Sequence, residues 1–377
     1  MGSSILNTGI SGLNAAQANL LTTSHNISNA DTPGYNRQQA IQTPNLARPT
    51  GSGFIGQGVN VTTVQRIYSQ FLVTQSLQVQ SQSSQLDSHY TQIQQIDDML
   101  ADANSGLSPS LQNFFSAVHD VAANPAEVPS RQALLSNAEA LVSKFQAMDQ
   151  RLSDIREGID TQITSKVTEI NSLASQIGEL NHNIRLAEGA TSGQTPNDLL
   201  DQRDELIRQV SQLINTDVVQ QSDGTFNVFI GSGQALVVGT QTLTLKAMIN
   251  PNNPEELTIG FTSGNNTIQL PENQIRGGSL GGILEFRRES LDEAQKSLGR
   301  IAIGLAQDFN NQHRLGQDLN NNLGGDFFSV PAPKTVANAG NNSASNITLS
   351  ISDTNALTTS DYQFSYDGTT YTLTRLS

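Results

Sequence analysis

The sequence predicts an α+β protein, an elongated multi-domain rod with a long α-helical coiled-coil or bundle domain and small outer β domains. Three observations lead to this prediction. Several segments carry apolar residues seven positions apart, which keeps one stripe of a helix turned toward a partner helix. From residue 216 the apolar period changes to two, as it does in strands. Asp223-Gly224 and Asp367-Gly368 are each flanked by strand-like runs, the pattern of a β-hairpin.

Residues 1–35 are predicted to form a terminal helix segment, with one amphipathic helix over residues 3–28. Its apolar stripe consists of residues seven apart: Leu6, Leu13, Leu20 and Ile27. Gly9 and Gly12 weaken this helix by roughly 1 kcal/mol each relative to Ala, and an isolated helix of such length is marginal in water. The helix therefore needs a partner. Because a segment rich in Pro and Gly separates it from the rest of the chain, we predict that the stripe is an assembly interface.

Residues 36–215 are predicted to form a helical rod domain. The first helix is expected to stop at residues 29–35, where Pro33 and Gly34 suit the two corners of a tight turn, and residues 36–67 are then extended. Further helices are predicted over residues 68–103, 110–122, 130–188 and 197–214. The first of them has a second stripe of period seven: Leu72, Val79, Leu86, Ile93 and Leu100. The longest has apolar residues three and four apart from Leu134 to Ile184, and we expect it to pack in an intramolecular bundle.

The remaining residues are predicted to alternate between strands and one long helix. Residues 216–278 form a small β subdomain, residues 279–315 a long helix that returns to the helical domain, and residues 316–377 the start of an outer β domain. The returning helix, over residues 280–312, has another stripe of period seven: Leu284, Leu291, Leu298 and Leu305. The sequence stops one residue after a strand-like run, so we expect the last domain to be truncated.

The composition argues against several classes of function. The net charge is -14, with 20 Lys and Arg against 34 Asp and Glu, which is unfavourable for binding nucleic acid. No apolar run approaches the ~18 residues of a membrane-spanning helix, so membrane insertion is not expected. No Lys or Arg precedes Arg37, so a cleaved signal peptide is not expected either. The absence of Cys excludes disulfides and thiolate metal sites.

Two motifs match known chemical patterns, but both occur in the wrong context. Gly51 to Gly56 fits G-x-G-x-x-G, yet a strand-like run follows it where a dinucleotide site requires a helix. Gly277 to Gly281 fits G-x-S-x-G around Ser279, but no βαβ alternation accompanies it and the only downstream His is His313. The His residues are scattered without metal-ligand spacing. We therefore predict no catalytic, cofactor-binding or metal-binding residues and no enzymatic activity.

Several motifs resemble those of one protein family. Residues 24–35, Ser-His-Asn-Ile-Ser-Asn-Ala-Asp-Thr-Pro-Gly-Tyr, are similar to the N-terminal signature of bacterial flagellar rod, hook and hook-associated proteins, and Asn36-Arg37-Gln38 resembles the hook-associated subset. Residues 56–61 and 66–72 resemble the stretch that follows in the first hook-associated family, except that Ser69 stands where an acidic residue is frequent. The run from Asn197 to Asp204 is the most specific match. The signature residues that this sequence shares are Asn26, Asn29, Thr32, Pro33, Gly34, Tyr35, Arg37, Asp198, Asp201, Arg203 and Asp204.

The resemblance implies a structural subunit of the bacterial flagellum that joins the hook to the filament. In that family the N- and C-terminal helices pair to form an inner tube, so a C-terminal helix absent from this sequence is the implied mate of the first stripe. The implied partners are the hook protein, the second hook-associated (junction) protein, further copies in a ring and, for the full-length protein, an export chaperone. The implied location is the extracellular hook–filament junction, reached by type III export without a cleaved signal peptide.

Two alternatives remain open at the level of the sequence. Another secreted coiled-coil protein, such as an adhesin or a cap-like export substrate, would account for the stripes and the acidity. It would not account for Thr32-Pro33-Gly34-Tyr35 or for the run Asp198 to Asp204. A hydrolase that uses Ser279 is the other alternative, and loss of esterase or peptidase activity in Ser279→Ala would support it.

Overall fold

The computed structural model describes residues 2–51, 53–100, 106–191, 194–231, 233–264, 266–338, 340–341 and 347–376. These residues form seven α-helices, and the α+β class is confirmed. The helices are α1 (Gly2–Ser28), α2 (Gln70–Leu100), α3 (Leu107–Ala123), α4 (Val128–Ala190), α5 (Asn197–Leu213), α6 (Gly278–Phe286) and α7 (Asp292–His313). Residues 101–103, the predicted end of the second helix, lie outside the described residues.

Two helices begin earlier than predicted, each by including a proline. α3 begins at Leu107 and α4 at Val128, whereas the sequence predicted starts at residues 110 and 130. Pro109 and Pro129 therefore lie in the first turn of each helix. A proline is tolerated there because the N–H that it lacks would have no intrahelical acceptor.

The strands form small antiparallel sheets. They are β1 (Gln38–Pro44), β2 (Arg48–Thr50), β3 (Gly53–Ile55), β4 (Val59–Arg66), β5 (Thr216–Gln220), β6 (Phe226–Ile230), β7 (Gln234–Val238), β8 (Gln241–Thr242), β9 (Thr244–Asn250), β10 (Asn253–Ser263), β11 (Asn266–Gln269), β12 (Asp361–Tyr366) and β13 (Tyr371–Leu376). The sheet orders are β1-β4, β2-β3, β5-β6-β7-β8, β11-β10-β9 and β12-β13.

The segment predicted only as extended is a two-part hairpin, which we call the arm (residues 38–66). β1 pairs with β4 from Gln38 opposite Arg66 to Pro44 opposite Val59, and β2 pairs with β3 beyond them. Both hairpins predicted from Asp-Gly pairs are confirmed. β5 and β6 enclose Asp223-Gly224, and β12 and β13 enclose Asp367-Gly368. Gly224 has a φ of 78°, the left-handed conformation that makes glycine suitable at such a turn.

The chain divides into two compact units, each assembled from distant parts of the sequence. Unit 1 contains Met1–Gln85, Lys166–Lys246 and Ile259–Gly281. Unit 2 contains Leu86–Ser165, Ala247–Thr258 and Gly282–Ser377. In unit 2, a core of Phe114, Ala138 and Leu141 is surrounded by partly buried Phe309, Phe327, Phe328 and other apolar side chains.

The apolar stripes that follow α1 differ in how far they are exposed to solvent. On α4, the stripe positions from Leu141 to Ile184 are buried except for half-buried Phe145 and Leu180, as an intramolecular bundle requires. Leu284, Leu291 and Leu298 are buried as well. On α2, by contrast, Leu72, Val79 and Leu86 are about 60% exposed, at 61%, 61% and 59%. The side chain of Leu100 lies outside the described residues. α2 instead buries Leu77 and Ile96, which lie on another face of the helix.

The long helix predicted over residues 280–312 is present, because the chain is helical from Gly278 to His313, but it contains a turn that the sequence did not predict. A π-helical turn over Arg287–Leu291 separates α6 from α7. This wider turn places Arg287, which is 2% exposed, where it donates to Leu257 O at 2.7 Å and Asp160 Oδ1 at 3.4 Å. Burial raises the pKa of the Asp160 carboxyl, and Arg287 opposes that effect. The apolar period of the sequence runs through the turn unchanged, so it could not reveal it.

Candidate functional site

The apolar stripe of α1 lies on the surface. Leu6, Leu13, Leu20 and Ile27 are 65%, 69%, 71% and 72% exposed. Adjacent Ile5 and Leu21 are exposed as well, so the apolar surface continues along most of the helix. Contiguous apolar surface of this kind is uncommon on monomeric proteins unless another molecule or segment covers it.

The opposite face of α1 packs on the arm. Ala15 is 3% exposed in this contact. Ser11 Oγ accepts a hydrogen bond from Val59 N at 3.2 Å. Gly58 has a φ of 86°, and a Cβ at this position would lie only 2.0 Å from Ser11 Oγ. The close approach of helix and arm therefore depends on glycine at position 58, and it fixes which face of α1 is free.

The corner after α1 is held by side-chain hydrogen bonds from the signature residues. Asn26 forms a two-way pair with the backbone of Gln38, in which Nδ2 donates to O and Oδ1 accepts from N, both at 2.8 Å. Tyr35 OH donates to Asn26 Oδ1 at 2.7 Å and lies 3.1 Å from His25 Nδ1. Asn29 Nδ2 donates to His25 O at 3.0 Å, and the same oxygen accepts from Asn29 N at 3.1 Å at the end of the helix.

Three carboxylates of α5 bind the start and the end of the arm, and we call Asp198, Asp201 and Asp204 the carboxylate clamp. Asp198 accepts from Gln38 Nε2 at 2.8 Å. Asp201 accepts from Asn36 N at 2.9 Å, from Asn36 Nδ2 at 2.8 Å and from Arg66 Nη1 at 2.9 Å. Arg66 also donates to Asp204 at 2.6 Å. Charge-assisted bonds of this kind are among the strongest in proteins, so the clamp fixes the arm on α5.

Arg203 of the same helix turns toward the four-stranded sheet. It donates to Asn181 Oδ1 at 3.1 Å and to Gly224 O at 2.9 Å, and its guanidinium lies 3.5 Å from the centre of the Phe226 ring. Asn181, which is fully buried, also donates to Phe226 O at 2.9 Å and Gly239 O at 2.6 Å. One arginine and one asparagine thus join α4, α5 and the sheet.

Burial dominates the electrostatics of these groups. It raises the pKa of Asp204 despite the neighbouring Arg66, because desolvation of the carboxylate outweighs the attraction. Burial also lowers the pKa of Arg203 to about 10, which leaves it charged at neutral pH. The pKa of Tyr68 is raised to about 12 by burial and by the negative charge of Asp204.

The structure brings together most, but not all, of the signature residues. Asn26, Tyr35 and the carboxylate clamp lie around the base of the arm. Thr32 and Pro33 are exposed at the corner, and Gly34, with a φ of 79°, packs where a Cβ would lie 2.7 Å from Glu205 Cβ. Arg37 is exposed, although its carbonyl accepts from Ile67 N at 2.7 Å.

The sequence analysis missed Asn181 as a member of this site. The signal was present, because Asn181 falls between Ile177 and Ile184 on the buried stripe of α4, where a polar residue needs a partner.

The structure places the two sequence motifs that match known chemical patterns. The glycines from Gly51 to Gly56 lie at the far end of the arm around β2 and β3, although Ser52 lies outside the described residues. Gly277 and Gly278 have φ values of 71° and 63°, and Ser279 follows them in the first turn of α6. Among the described residues, no cluster of three His, Cys, Asp or Glu side chains could hold a metal ion. Within the same residues, no helix has the length and apolarity needed to cross a membrane.

Three family models match the chain. Residues 93–328 match the helical domain of flagellar hook-associated protein FlgK, residues 336–377 match the D2-like domain of flagellar hook-associated protein 1, and residues 6–36 match the flagella basal body rod protein model. The first match covers the α3 to α7 region and the second covers the last hairpin. The third covers α1 and the corner that Asn26 and Tyr35 hold.

Individual relatives agree with these models. Flagellar hook-associated protein 1 of Escherichia coli is 37% identical over 376 residues, which are 100% of this chain and 69% of the relative. The Salmonella typhimurium protein of the same name is 39% identical over 377 residues, 99% of this chain and 68% of that protein. The solved flagellar hook junction protein FlgK from Burkholderia pseudomallei is 39% identical, with a TM-score of 0.74 over 80% of this chain.

The chain spans 68–69% of the length of these two relatives and 55% of the solved structure. The chain belongs to the flagellar hook-associated protein 1 family, whose members are structural proteins of the hook–filament junction.

Proposed function

We propose that this protein joins the flagellar hook to the filament as a structural subunit, and that the α1 stripe is the surface through which it assembles. The observation that carries the proposal is the exposure of Leu6, Leu13, Leu20 and Ile27, at 65–72%, on a helix whose other face is already packed. Each Leu or Ile that becomes fully buried contributes roughly 1.5–3 kcal/mol. Burial of all four residues would therefore strongly favour binding of a partner helix whose apolar residues also recur every seven positions.

The charge of α1 supports this role. From Gly2 to Ser28 the helix contains no Asp, Glu, Lys or Arg, and His25 is its only titratable side chain. An uncharged helix avoids the desolvation cost that charged side chains pay when a surface is buried. The mate that we propose is a terminal helix of period seven in the full-length protein, which packs on α1 as a coiled coil.

The anchoring of α1 supports a mechanical function. The arm and the corner after α1 are fixed to α5 by the carboxylate clamp. A load applied to α1 through its exposed face therefore reaches the helices of unit 1 through charge-assisted hydrogen bonds and not through a free linker. This arrangement suits a part of a rotating assembly, and no chemical reaction is needed to explain it.

The partners in this proposal follow from the junction. They are the hook protein on one side, the second hook-associated protein on the other, and further copies of this protein in a ring. For the full-length protein we also propose export without a cleaved signal peptide and binding to an export chaperone before assembly.

Immunogold electron microscopy of intact cells tests the proposal, with antibody raised against residues 131–377. Gold confined to the point where hook meets filament is the expected result. Label spread over the cell body, or protein found only in the medium, would contradict the junction role and favour a secreted adhesin.

A further inference from the structure

The end of the arm exposes an unusual combination of side chains. Leu46 is 95% exposed and Phe54 is 78% exposed, and Ile55 beside them is 59% exposed. Arg48, also exposed, is the only charged residue between Arg37 and Arg66. The end of the arm is therefore apolar and carries one positive charge, on a chain whose net charge is -14.

The structure holds the arm firmly below this end. Asn45 N donates to Gly58 O at 2.9 Å, and Asn45 Nδ2 donates to Gln57 O at 3.0 Å. These bonds, and the contact of Gly58 with Ser11, hold the two sides of the arm together below its exposed end. The backbone that carries the apolar end is thus held by hydrogen bonds, so little conformational entropy is lost when this end binds a partner.

An acidic cavity of about 600 Å³ lies elsewhere in unit 1, between α4, α5 and the corner after α1. Its charged lining consists of Glu179, Asp198, Asp201 and Glu205, with His25 as the only basic lining residue. Arg66 pairs with Asp201 and Arg208 pairs with Glu205. Asp198 accepts from Gln38 Nε2 at 2.8 Å and lies 3.8 Å from His25 Nε2, but its side chain is 62% exposed, so it faces the cavity together with exposed Glu179. Pro33 and Leu206 supply apolar walls.

We propose that the arm of one copy docks in this cavity of the neighbouring copy. Arg48 lies against Glu179 and Asp198, and Phe54 packs on the apolar walls. The arm cannot fill the cavity of its own copy, because its base is held beside that cavity by the carboxylate clamp. β1, with seven residues at about 3.3 Å each, carries the end roughly 20 Å away.

Such a contact joins two different surfaces, one from each copy. Repeated by rotation, it closes a ring, and repeated with a rise it forms a helix. Charge complementarity between the arm and the cavity would also offset the repulsion between two copies of charge -14. This inference rests on the proposed function, since it identifies the neighbour-to-neighbour contact of the ring.

Disulfide cross-linking on intact flagella tests the inference, because residues 1–377 contain no Cys. Two differently tagged full-length variants, Phe54→Cys and Asn183→Cys, are produced in the same cells, since Asn183 is exposed and lines the cavity. Oxidation is expected to yield a dimer that carries both tags. Either variant produced alone should yield none.

Charge variants make the test specific. Arg48→Glu in the Phe54→Cys copy should lower the dimer yield about tenfold or more, since it places like charges together. Adding Glu179→Arg to the Asn183→Cys copy should restore the yield to within about threefold of the original. Arg151→Glu, an equal charge change at an exposed residue of α4, is the matched control and should change the yield less than about twofold.

The outcomes separate the inference from the proposed function, because immunogold labelling locates the protein in the same cells. Protein at the junction without a mixed dimer overturns the arm–cavity contact and leaves the junction role intact. A dimer of Phe54→Cys with itself, or a cross-link from Phe54→Cys to a protein of another mass, also overturns it. Protein absent from the junction contradicts the proposed function.

Discussion

Arg66 Nη1 donates to Asp201 Oδ1 at 2.9 Å, across 135 residues of sequence, with side chains only 10% and 5% exposed. This pair connects the end of the arm to α5, and Asp201 accepts two further hydrogen bonds from Asn36, which lies two residues before the arm begins. One carboxylate therefore fixes both ends of the segment that follows α1. The orientation of the α1 stripe depends on this pair.

Asp201→Ala should destabilise the protein by about 3 kcal/mol. The substitution removes the acceptor of Asn36 N and leaves Arg66 with Asp204 as its remaining carboxylate partner. Breaking a buried ion pair typically costs about 3–5 kcal/mol. Urea unfolding followed by circular dichroism measures the loss. Asp97→Ala removes an exposed carboxylate from α2 and should stay within about 0.5 kcal/mol of the parent protein. Equal effects of the two variants would show that the clamp does not hold the arm.

Tyr68→Phe should make the protein more resistant to alkaline unfolding. The pKa of Tyr68 is raised from 10.0 to about 12, mainly by burial, so the folded protein keeps this proton at pH values where the unfolded chain loses it. The stability that the phenol contributes is fully present below pH 10 and is lost as the pH rises from 10 through about 12.

Urea midpoints of both proteins between pH 8 and pH 12 measure this effect. The difference between the parent protein and Tyr68→Phe should be constant from pH 8 to pH 9 and should shift in favour of Tyr68→Phe above pH 10. A difference that stays constant across the whole range would show that Tyr68 titrates alike in the folded and unfolded chains.

Gly278→Ala should destabilise the start of α6 by about 3 kcal/mol or more. Gly278 has a φ of 63°, and a Cβ there would lie 2.2 Å from the backbone carbon of Leu213. Left-handed strain and overpacking each cost about 1–3 kcal/mol.

Gly299→Ala is the matched control, because Gly299 lies inside α7 with no atom within 4 Å of the new Cβ. It should stabilise the protein by about 0.5–1 kcal/mol. Thermal unfolding compares the two variants with the parent protein. A stable Gly278→Ala variant would contradict the contact with Leu213.

The sequence predicts the local elements of this fold well, because their determinants are local. The long run without internal proline identifies α4, and Asp223-Gly224 identifies a hairpin through its turn chemistry alone. The π-helical turn at Arg287 could not be predicted in this way, since it is stabilised by Asp160 and Leu257, which are distant in sequence.

The candidate site shows the same division. The α1 stripe, from Leu6 to Ile27, follows directly from its period, and the structure leaves it exposed. The role of Asp201 does not follow from its neighbours in sequence, because its partners lie 135 and 165 residues away. Family resemblance marked Asp201 as important, but only the geometry shows that it holds the arm.

The central claim is that the exposed stripe of α1 is the assembly surface. Leu13→Asp in the full-length protein tests it, because Leu13 is 69% exposed and a charge there should leave folding intact. Burying that charge against a partner helix would be strongly unfavourable, so assembly should fail. Asn14→Asp adds the same charge one residue away on an exposed part of α1 and is the matched control.

The most direct measurement is swarming motility together with the fraction of cells that carry filaments, in cells that produce each variant as their only copy. Leu13→Asp should unfold in urea like the parent protein but should lower the fraction of cells with filaments about tenfold or more, whereas Asn14→Asp should swarm normally. Normal filaments and swarming in cells with a folded Leu13→Asp protein would contradict the account.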